Sequence, residues 1–271
     1  MCDWFNFVSF DIIGDLALGQ SLGSLENGKY HPLARHLIGA FKAGILMSSL
    51  NRYIPLSRLK FALRCAIPKR TIQQNKSFLV TLSEQVSKRL ESTTTRPDFI
   101  SYMLKDDKND LTMTKMDIQA NVAVFFIGGS ESGASLLAGT LFYLLKDSAR
   151  MAKAVHEIRS TFANENDINF KTVSQLPYTL ACLEEGLRVS TPTPFGIARR
   201  TTEPTVIADE LVPANTSVSV PQWAAWHSAE NFSRPNEFIP ERWLDDKEFA
   251  GDSKNGFHPF SVGPRNCMGK K

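Results

Sequence analysis

Apolar residues recur at helical spacing along the first three-fifths of the chain. Residues 4–18 are apolar on most faces and run into Gly19, which predicts a helix with a glycine stop. Leu33, Leu37, Phe41 and Ile45 repeat every four residues and predict a helix over 32–47. Residues 71–90 are amphipathic, with Phe78, Leu79, Leu82, Val86 and Leu90 assigned to the apolar side. Arg96-Pro97-Asp98 opens a short helix reaching Leu104, and the polar run 105–110 reads as a solvated loop. Three more helices are expected: a long one over 114–146, one charged on a single face over 148–164, and one over 176–190 stopped by Pro192 and Pro194.

The texture then changes. Residues 205–207 and 216–220 are short β-branched runs joined by a turn-rich stretch. From Pro221 onward the chain is rich in Trp, Pro, Asn and Gly and loses any long period. Irregular segments of that length are uncommon unless functional. The expected fold is mainly α with small β-sheets, a helical part over 1–190 and a sheet and irregular part over 191–271.

Composition narrows the classes. The 271 residues are 42% apolar and 22% charged, enough to bury a core. Thirty-one basic residues against 28 acidic leave a net charge of +3, too weak and too evenly spread for a nucleic-acid partner. Cys2, Cys65, Cys182 and Cys267 are far apart with no CxxC pair, which argues against a zinc cluster or a disulfide framework and fits a reducing compartment. The opening Met1-Cys2-Asp3-Trp4 is not a secretory signal. The best membrane-spanning candidate, 118–145, is interrupted near its centre by Ser130-Glu131-Ser132. A carboxylate there is costly in lipid, so this stretch is expected to be a helix buried in protein, and no membrane span is expected.

The densest chemistry lies at the end of the chain, between Phe257 and Gly269. A cysteine in an intracellular protein is most often a buried apolar thiol. Cys267 has other surroundings: Gly263 and Gly269 frame it, allowing a tight backbone near a flat object, and Arg265 stands two residues away. Such a thiolate serves as nucleophile or as metal ligand, and spacing alone leaves both open. His31, His36, His156 and His227 have no metal-like spacing.

The pattern Phe260-x-x-Gly263-x-Arg265-x-Cys267-x-Gly269 resembles the haem-binding signature of the cytochrome P450 family, whose haem iron is held by a cysteine thiolate. The resemblance implies that Cys267 is the axial ligand, that Arg265 pairs with a haem propionate, and that Phe260 packs near the sulfur. Glu185-x-x-Arg188 recurs by chance in a chain of this size, and by itself reads as a surface ion pair. It stands, however, upstream of Pro240-Glu241-Arg242-Trp243, in the order of the family's Glu-x-x-Arg helix and Pro-Glu-Arg segment. By resemblance Arg242 closes a buried network with Glu185 and Arg188 that holds the thiolate loop.

Two adjacent glycines, Gly128 and Gly129, cost about 1 kcal/mol each inside a helix. Close helix packing is the ordinary explanation. The resemblance implies the distal helix over the haem, with Glu131 as its acid and Ser132 in place of the usual threonine, the two relaying protons. Arg199 is implied as a further propionate contact, with Arg200 adjacent, and Phe195 and Ile197 face either the substrate or the core.

Phrases such as Asp11-Ile12-Ile13-Gly14-Asp15-Leu16 look most like the fungal microsomal branch. The resemblance covers residues 1–271 as a partial catalytic domain and leaves the family's N-terminal membrane helix, first sheet, substrate-capping loop and C-terminal helix and hairpin without counterparts. The chain therefore reads as truncated at both ends. The implied function is a haem-thiolate monooxygenase that inserts one oxygen atom from dioxygen into an apolar organic substrate, in fungal secondary-metabolite biosynthesis. An NADPH-dependent P450 reductase is the implied electron donor, since no flavin or nicotinamide motif is present. Intact relatives are expected on the cytosolic face of the endoplasmic reticulum, and a chain without the anchor in the cytosol. The alternatives are a haem-free, non-enzymatic remnant and a haem-binding sensor.

Overall fold

The computed structural model describes residues 1–40, 44, 68–93, 96–104 and 113–270. These fall into two compact units, Met1–Ala134 and Ser135–Lys271. Cys65, residues 41–43 and 45–47 of the second predicted helix, and the loop 105–110 lie outside the described residues.

The first unit opens with helix α1 (Cys2–Leu18), ended by Gly19 in the left-handed conformation at φ 69°. The short α2 (Ser24–Asn27) follows, and residues 32–40 form α3. The His31 ring Nδ1 accepts the Leu33 amide at 3.2 Å and so caps α3. Helix α4 (Lys69–Glu91) buries Phe78, Leu82 and Val86. Leu79 is 53% exposed, which corrects its place on the apolar side. One residue past Phe78 is a rotation of about 100°, which carries Leu79 off the buried stripe, where only positions three or four apart stay. Asp98 caps α5 (Phe99–Met103) through a reciprocal box with Ser101 and forms a buried ion pair with Arg89 at 2.5 Å.

Helix α6 (Lys115–Lys146) is continuous, and its part within the first unit packs Ile118, Val122 and Phe126 into a core with Phe10, Ile13, Leu18 and Leu33. Among the described residues α6 is long and apolar enough to cross a membrane, and only 22% of its most apolar window is buried. That exposure departs from the buried helix expected: among the described residues Val124 is 61% exposed and nothing lies within 4 Å of a Cβ built on Gly128.

The second unit continues from Ser135. Helix α7 (Ser148–Thr161) is capped by Asp147, whose carboxylate accepts the Ala149 and Arg150 amides. The four-residue α8 (Phe170–Val173) leads to α9 (Pro177–Val189). Glu157 of α7 accepts the Tyr178 and Thr179 amides at 2.7 Å each, which places a carboxylate at the positive start of α9. Two antiparallel pairs follow: β1 (Arg199–Arg200) with β4 (Ser217–Val218), and β2 (Thr205–Ile207) with β3 (Glu210–Val212). Helix α10 (Gln222–Trp226) and a series of 3₁₀ turns complete the described chain. The mainly helical architecture with two small sheets matches the sequence expectation.

Candidate functional site

Glu185 and Arg188 lie one turn apart on α9 and face inward, both fully buried. A buried guanidinium must place all five N–H donors or lose their hydration for nothing. Arg188 places all five. Nε and one Nη2 hydrogen go to the two Glu185 oxygens at 2.9 and 2.8 Å. The others go to the carbonyls of Trp226, Pro235 and Glu237 at 2.8, 2.7 and 2.8 Å. One side chain on α9 thereby anchors both α10 and the turn-rich segment after it.

The 3₁₀ turn Pro240–Trp243 sends consecutive side chains to opposite destinations. Arg242 and Trp243 point at Glu185, whose carboxylate also accepts Arg242 Nε at 3.1 Å, Trp243 Nε1 at 2.9 Å and the Ile239 amide at 2.9 Å. Glu241 turns the other way to Lys153 at 2.9 Å, Arg150 at 3.3 Å and the Tyr178 hydroxyl at 3.2 Å. Against the opposing effect of burial, Lys153 and Arg150 hold the Glu241 carboxyl below its ordinary range. Glu185, Arg188 and Arg242 thus form one hydrogen-bonded cluster that is fully buried and not a surface ion pair.

Several of its members carry no sequence signal. Arg242 Nη1 donates to Asp252, ten residues on. The guanidinium of Arg188 lies 5.2 Å from the Phe232 ring centre and that of Arg242 lies 4.8 Å from the Phe249 ring centre, which places both cations over π faces. Asp252, Trp243, Phe232 and Phe249 were missed because their partners are set by chain crossings and not by spacing.

The cysteine loop follows. Phe257 packs between Trp226 and Trp243, with ring centres 4.7 Å away in each case. The loop then closes on itself: the Cys267 amide donates to the Phe260 carbonyl at 2.8 Å. Ser261 and Gly263 both take left-handed backbone, at φ 61° and 77°. At Gly263 that conformation suits glycine. Cys267 sits between the turns Gly263–Arg265 and Met268–Lys270, with its thiol exposed, and Arg265 is exposed beside it. Cys182, by contrast, is buried in α9, and burial first, then the negative charge of Glu241, pushes its thiol up to about 12. It is a neutral packing residue. Cys2 is exposed at the start of α1.

The Cys267 thiol stands exposed in a short glycine-framed loop, open to a ligand, whereas the Cys182 thiol is buried; cysteine sulfur is a donor that haem iron takes. The donor chemistry of this loop therefore fits a haem iron, with Arg265 able to meet an anionic carboxylate. Among the described residues no cluster of His, Cys, Asp and Glu could hold a separate metal ion.

Arg199 and Arg200 point to opposite faces of the β1–β4 pair, as successive strand residues must. Arg200 donates to Asn215 at 2.7 Å, while Arg199 is exposed and contacts the neighbouring Ala198 carbonyl at 3.3 Å. Phe195 lines a cavity of about 580 Å³ with Val189, Ser190, Pro194, Pro221 and Trp223. Ile197 is 63% exposed. Gly196 has φ 67°, and a Cβ there would collide with the Val220 carbonyl, so glycine lets the segments after Phe195 and before Pro221 approach this closely.

The two glycines of α6 divide. A Cβ on Gly129 would come within 2.8 Å of Ile13 Cδ1, which makes Gly129 a packing residue against α1. A Cβ on Gly128 would meet nothing within 4 Å, so that position keeps an open face. The Ser132 hydroxyl donates back to the Gly128 carbonyl at 2.6 Å, and the buried Ser130 hydroxyl to Phe126 at 2.5 Å, local bonds that tend to bend a helix. Glu131 is half-buried on the same helix. It lies near enough to Tyr30 to contribute, after burial and the hydroxyl's bond to Asp3, to raising that phenol to about 12.

The chain is 42% identical to cytochrome P450 monooxygenase astJ of Aspergillus oryzae over 275 residues, covering 100% of this chain and 54% of that protein. It is 38% identical to cytochrome P450 monooxygenase astA of Talaromyces wortmannii, covering 100% and 54%. It is also 34% identical to an averantin hydroxylase of Dothistroma septosporum, covering 99% and 51%. The chain spans about half the length of the curated relatives it matches. Its fold is similar to the crystal structure of the cytochrome P450DA heme domain at a TM-score of 0.76 and 20% identity, covering 99% of this chain and 57% of that one. The family model for cytochrome P450 matches residues 1–271, and the chain, with its Glu185–Arg188–Arg242 network and its cysteine loop, belongs to the cytochrome P450 family.

Proposed function

We propose that this chain supplies the haem-thiolate core of a monooxygenase that inserts one oxygen atom from dioxygen into an apolar organic substrate. The observation that carries the reading is the exposed Cys267 thiol in a closed loop, downstream of a fully buried ion network. When bound, haem would supply dioxygen activation, with Cys267 as the residue that would hold its iron. The protein's own residues bind, orient and exclude water. Cys267 donates the ligand sulfur. Arg265 and Arg199 offer guanidinium groups to propionates, and Arg199 is favoured over Arg200 because the latter is engaged with Asn215. Gly128 leaves the helix face open, Phe260 and Gly269 frame the sulfur, and Glu131 and Ser132 move protons along α6. The network of Glu185, Arg188 and Arg242 holds the segment entering the loop.

Electrons come from an NADPH-dependent reductase at the cytosolic face of the endoplasmic reticulum. Helix α6 is read as the family's distal helix and not as a membrane span, since its centre carries Glu131. The named fungal relatives favour a secondary metabolite as substrate. The complete buried network and the intact loop speak against a haem-free remnant.

The test is the difference spectrum of the reduced, carbon-monoxide-bound protein after haem loading. Wild type and Cys182→Ser are expected to show the red-shifted band of thiolate ligation, and Cys267→Ser to lose it. A wild-type chain with no such band, or a Cys267→Ser chain that retains it, overturns the proposal.

A further inference from the structure

Asp252 is a buried carboxylate to which neither the signature nor the Glu-x-x-Arg pattern assigns any part. The buried charges around α9 explain its presence. Glu185, Arg188 and Arg242 alone sum to one positive charge in a site with no exposure. An uncompensated charge is not tolerated there. Asp252 neutralises the set through its ion pair with Arg242 Nη1.

Its position gives that charge a second use. Oδ1 accepts the Ser233 amide at 2.7 Å while Arg242 Nη2 donates to the Ser233 carbonyl at 3.0 Å, so the pair grips one peptide segment from both sides. The next residue, Ser253, donates its amide to the Asn231 carbonyl at 2.7 Å. From there the chain runs through Gly256, whose carbonyl accepts Trp226 Nε1 at 3.3 Å, and Phe257 into the cysteine loop. Asp252 is the charged attachment in this run; the attachments after it are neutral hydrogen bonds, from Ser253 to Asn231, from Trp226 to Gly256 and from Gln222 to the His258 carbonyl, and ring contacts.

We infer that Asp252 is a positioning residue, the buried anion that ties the segment entering the Cys267 loop to the Glu185–Arg188–Arg242 cluster. The inference rests on the reading of Cys267 as haem ligand only where it concerns the spectrum. The tether itself is tested without haem.

The experiment is hydrogen exchange of the haem-free full chain, comparing Asp252→Asn and Asp252→Glu with wild type. Asparagine keeps the shape and an acceptor for Ser233 but removes the charge. In Asp252→Asn, amides of 253–269 are expected to exchange about tenfold faster or more, while those of 177–189 change by less than about twofold. Equal acceleration in both regions would mean a general loss of stability and overturns the inference, as does no acceleration in either. Asp252→Glu is expected to restore most of the protection. If Asp252→Asn does not fold, a folded Asp252→Glu with a protected loop supports the charged tether, and failure of both variants overturns it. With haem loaded, Asp252→Asn is expected to lose the thiolate band at a pH closer to neutral than wild type does. An unchanged band beside a loosened loop would refute the link to the ligand. A wild-type chain without the band would refute the haem reading and leave the exchange result standing.

Discussion

Replacing Arg188 by lysine keeps the positive charge beside Glu185 and removes the fork. Lysine has three donors where arginine has five. All five are in use here, two on Glu185 and one each on the carbonyls of Trp226, Pro235 and Glu237. A lysine therefore gives up at least two of these buried bonds: spent on the three carbonyls it takes both fork bonds from Glu185, which keeps Arg242, Trp243 and the Ile239 amide, and spent on Glu185 it leaves carbonyls without partners. Each buried bond lost costs about 1–3 kcal/mol, so the loss is roughly 2–6 kcal/mol. The site is fully buried, which leaves no water to replace the missing donors. At roughly 2–4 °C per kcal/mol for a chain of this size, the midpoint of thermal unfolding should fall by at least ~4 °C. Urea unfolding followed by circular dichroism measures the same loss. Arg234→Lys is the matched control, because Arg234 pairs with Glu248 at 2.8 Å with both side chains exposed. That change should cost less than about 1 kcal/mol. If Arg188→Lys unfolds within about 1 kcal/mol of wild type, the five-donor account of this network is wrong.

Three further outcomes are expected. Gly128→Ala should stabilise the chain by roughly 0.5–1 kcal/mol, since alanine suits a helix interior and the site is open. Gly129→Ala should instead destabilise it by pushing on Ile13; opposite signs in urea midpoints are the check. Gly196→Ala should cost at least about 1–2 kcal/mol for the left-handed backbone, plus displacement of Val220, and quench or shift the Trp223 emission at the cavity wall. Burial lowers the His31 pKa in the folded state below its ordinary value near 6.5, with Asp11 opposing. The unfolded chain then takes up the proton first, so stability present above about pH 6.5 is lost as pH falls toward the folded value. His31→Asn, which can still cap α3 but does not titrate, should flatten that part of the stability profile. His227, also held down by burial, keeps its own share. An unchanged slope in the variant would remove His31 from the account.

Features written in neighbouring residues were legible from the sequence. The stop of α1 at Gly19 and the start of α5 after Asp98 depend on bonds spanning a few residues, so local composition determines them. The buried stripe of α4 follows from its period, apart from Leu79, where a count of apolar residues overrode the rotation per residue. The cysteine loop was legible only through its resemblance to the cytochrome P450 signature, carried by Phe260, Gly263, Arg265, Cys267 and Gly269; spacing alone left nucleophile and metal ligand open.

Tertiary structure decided what depends on chain crossings. Whether Glu185 and Arg188 form a surface pair or a buried one is invisible at i, i+3 spacing. Burial came from Trp226, Pro235 and Glu237 folding back over α9. Gly128 and Gly129 are chemically identical neighbours, separated only by the presence of Ile13 against one of them. Arg199 and Arg200 were separated by the strand pair that turns one toward Asn215. Cys182 and Cys267 carry the same thiol, and burial keeps the first protonated while the loop exposes the second. Asp252 stands at no informative spacing from its partners, and only the need of a buried arginine pair for a second anion accounts for it. Hydrogen bonds within a turn are dictated by adjacent residues, whereas the neutralisation of buried charge is dictated by whichever distant segment the fold brings alongside.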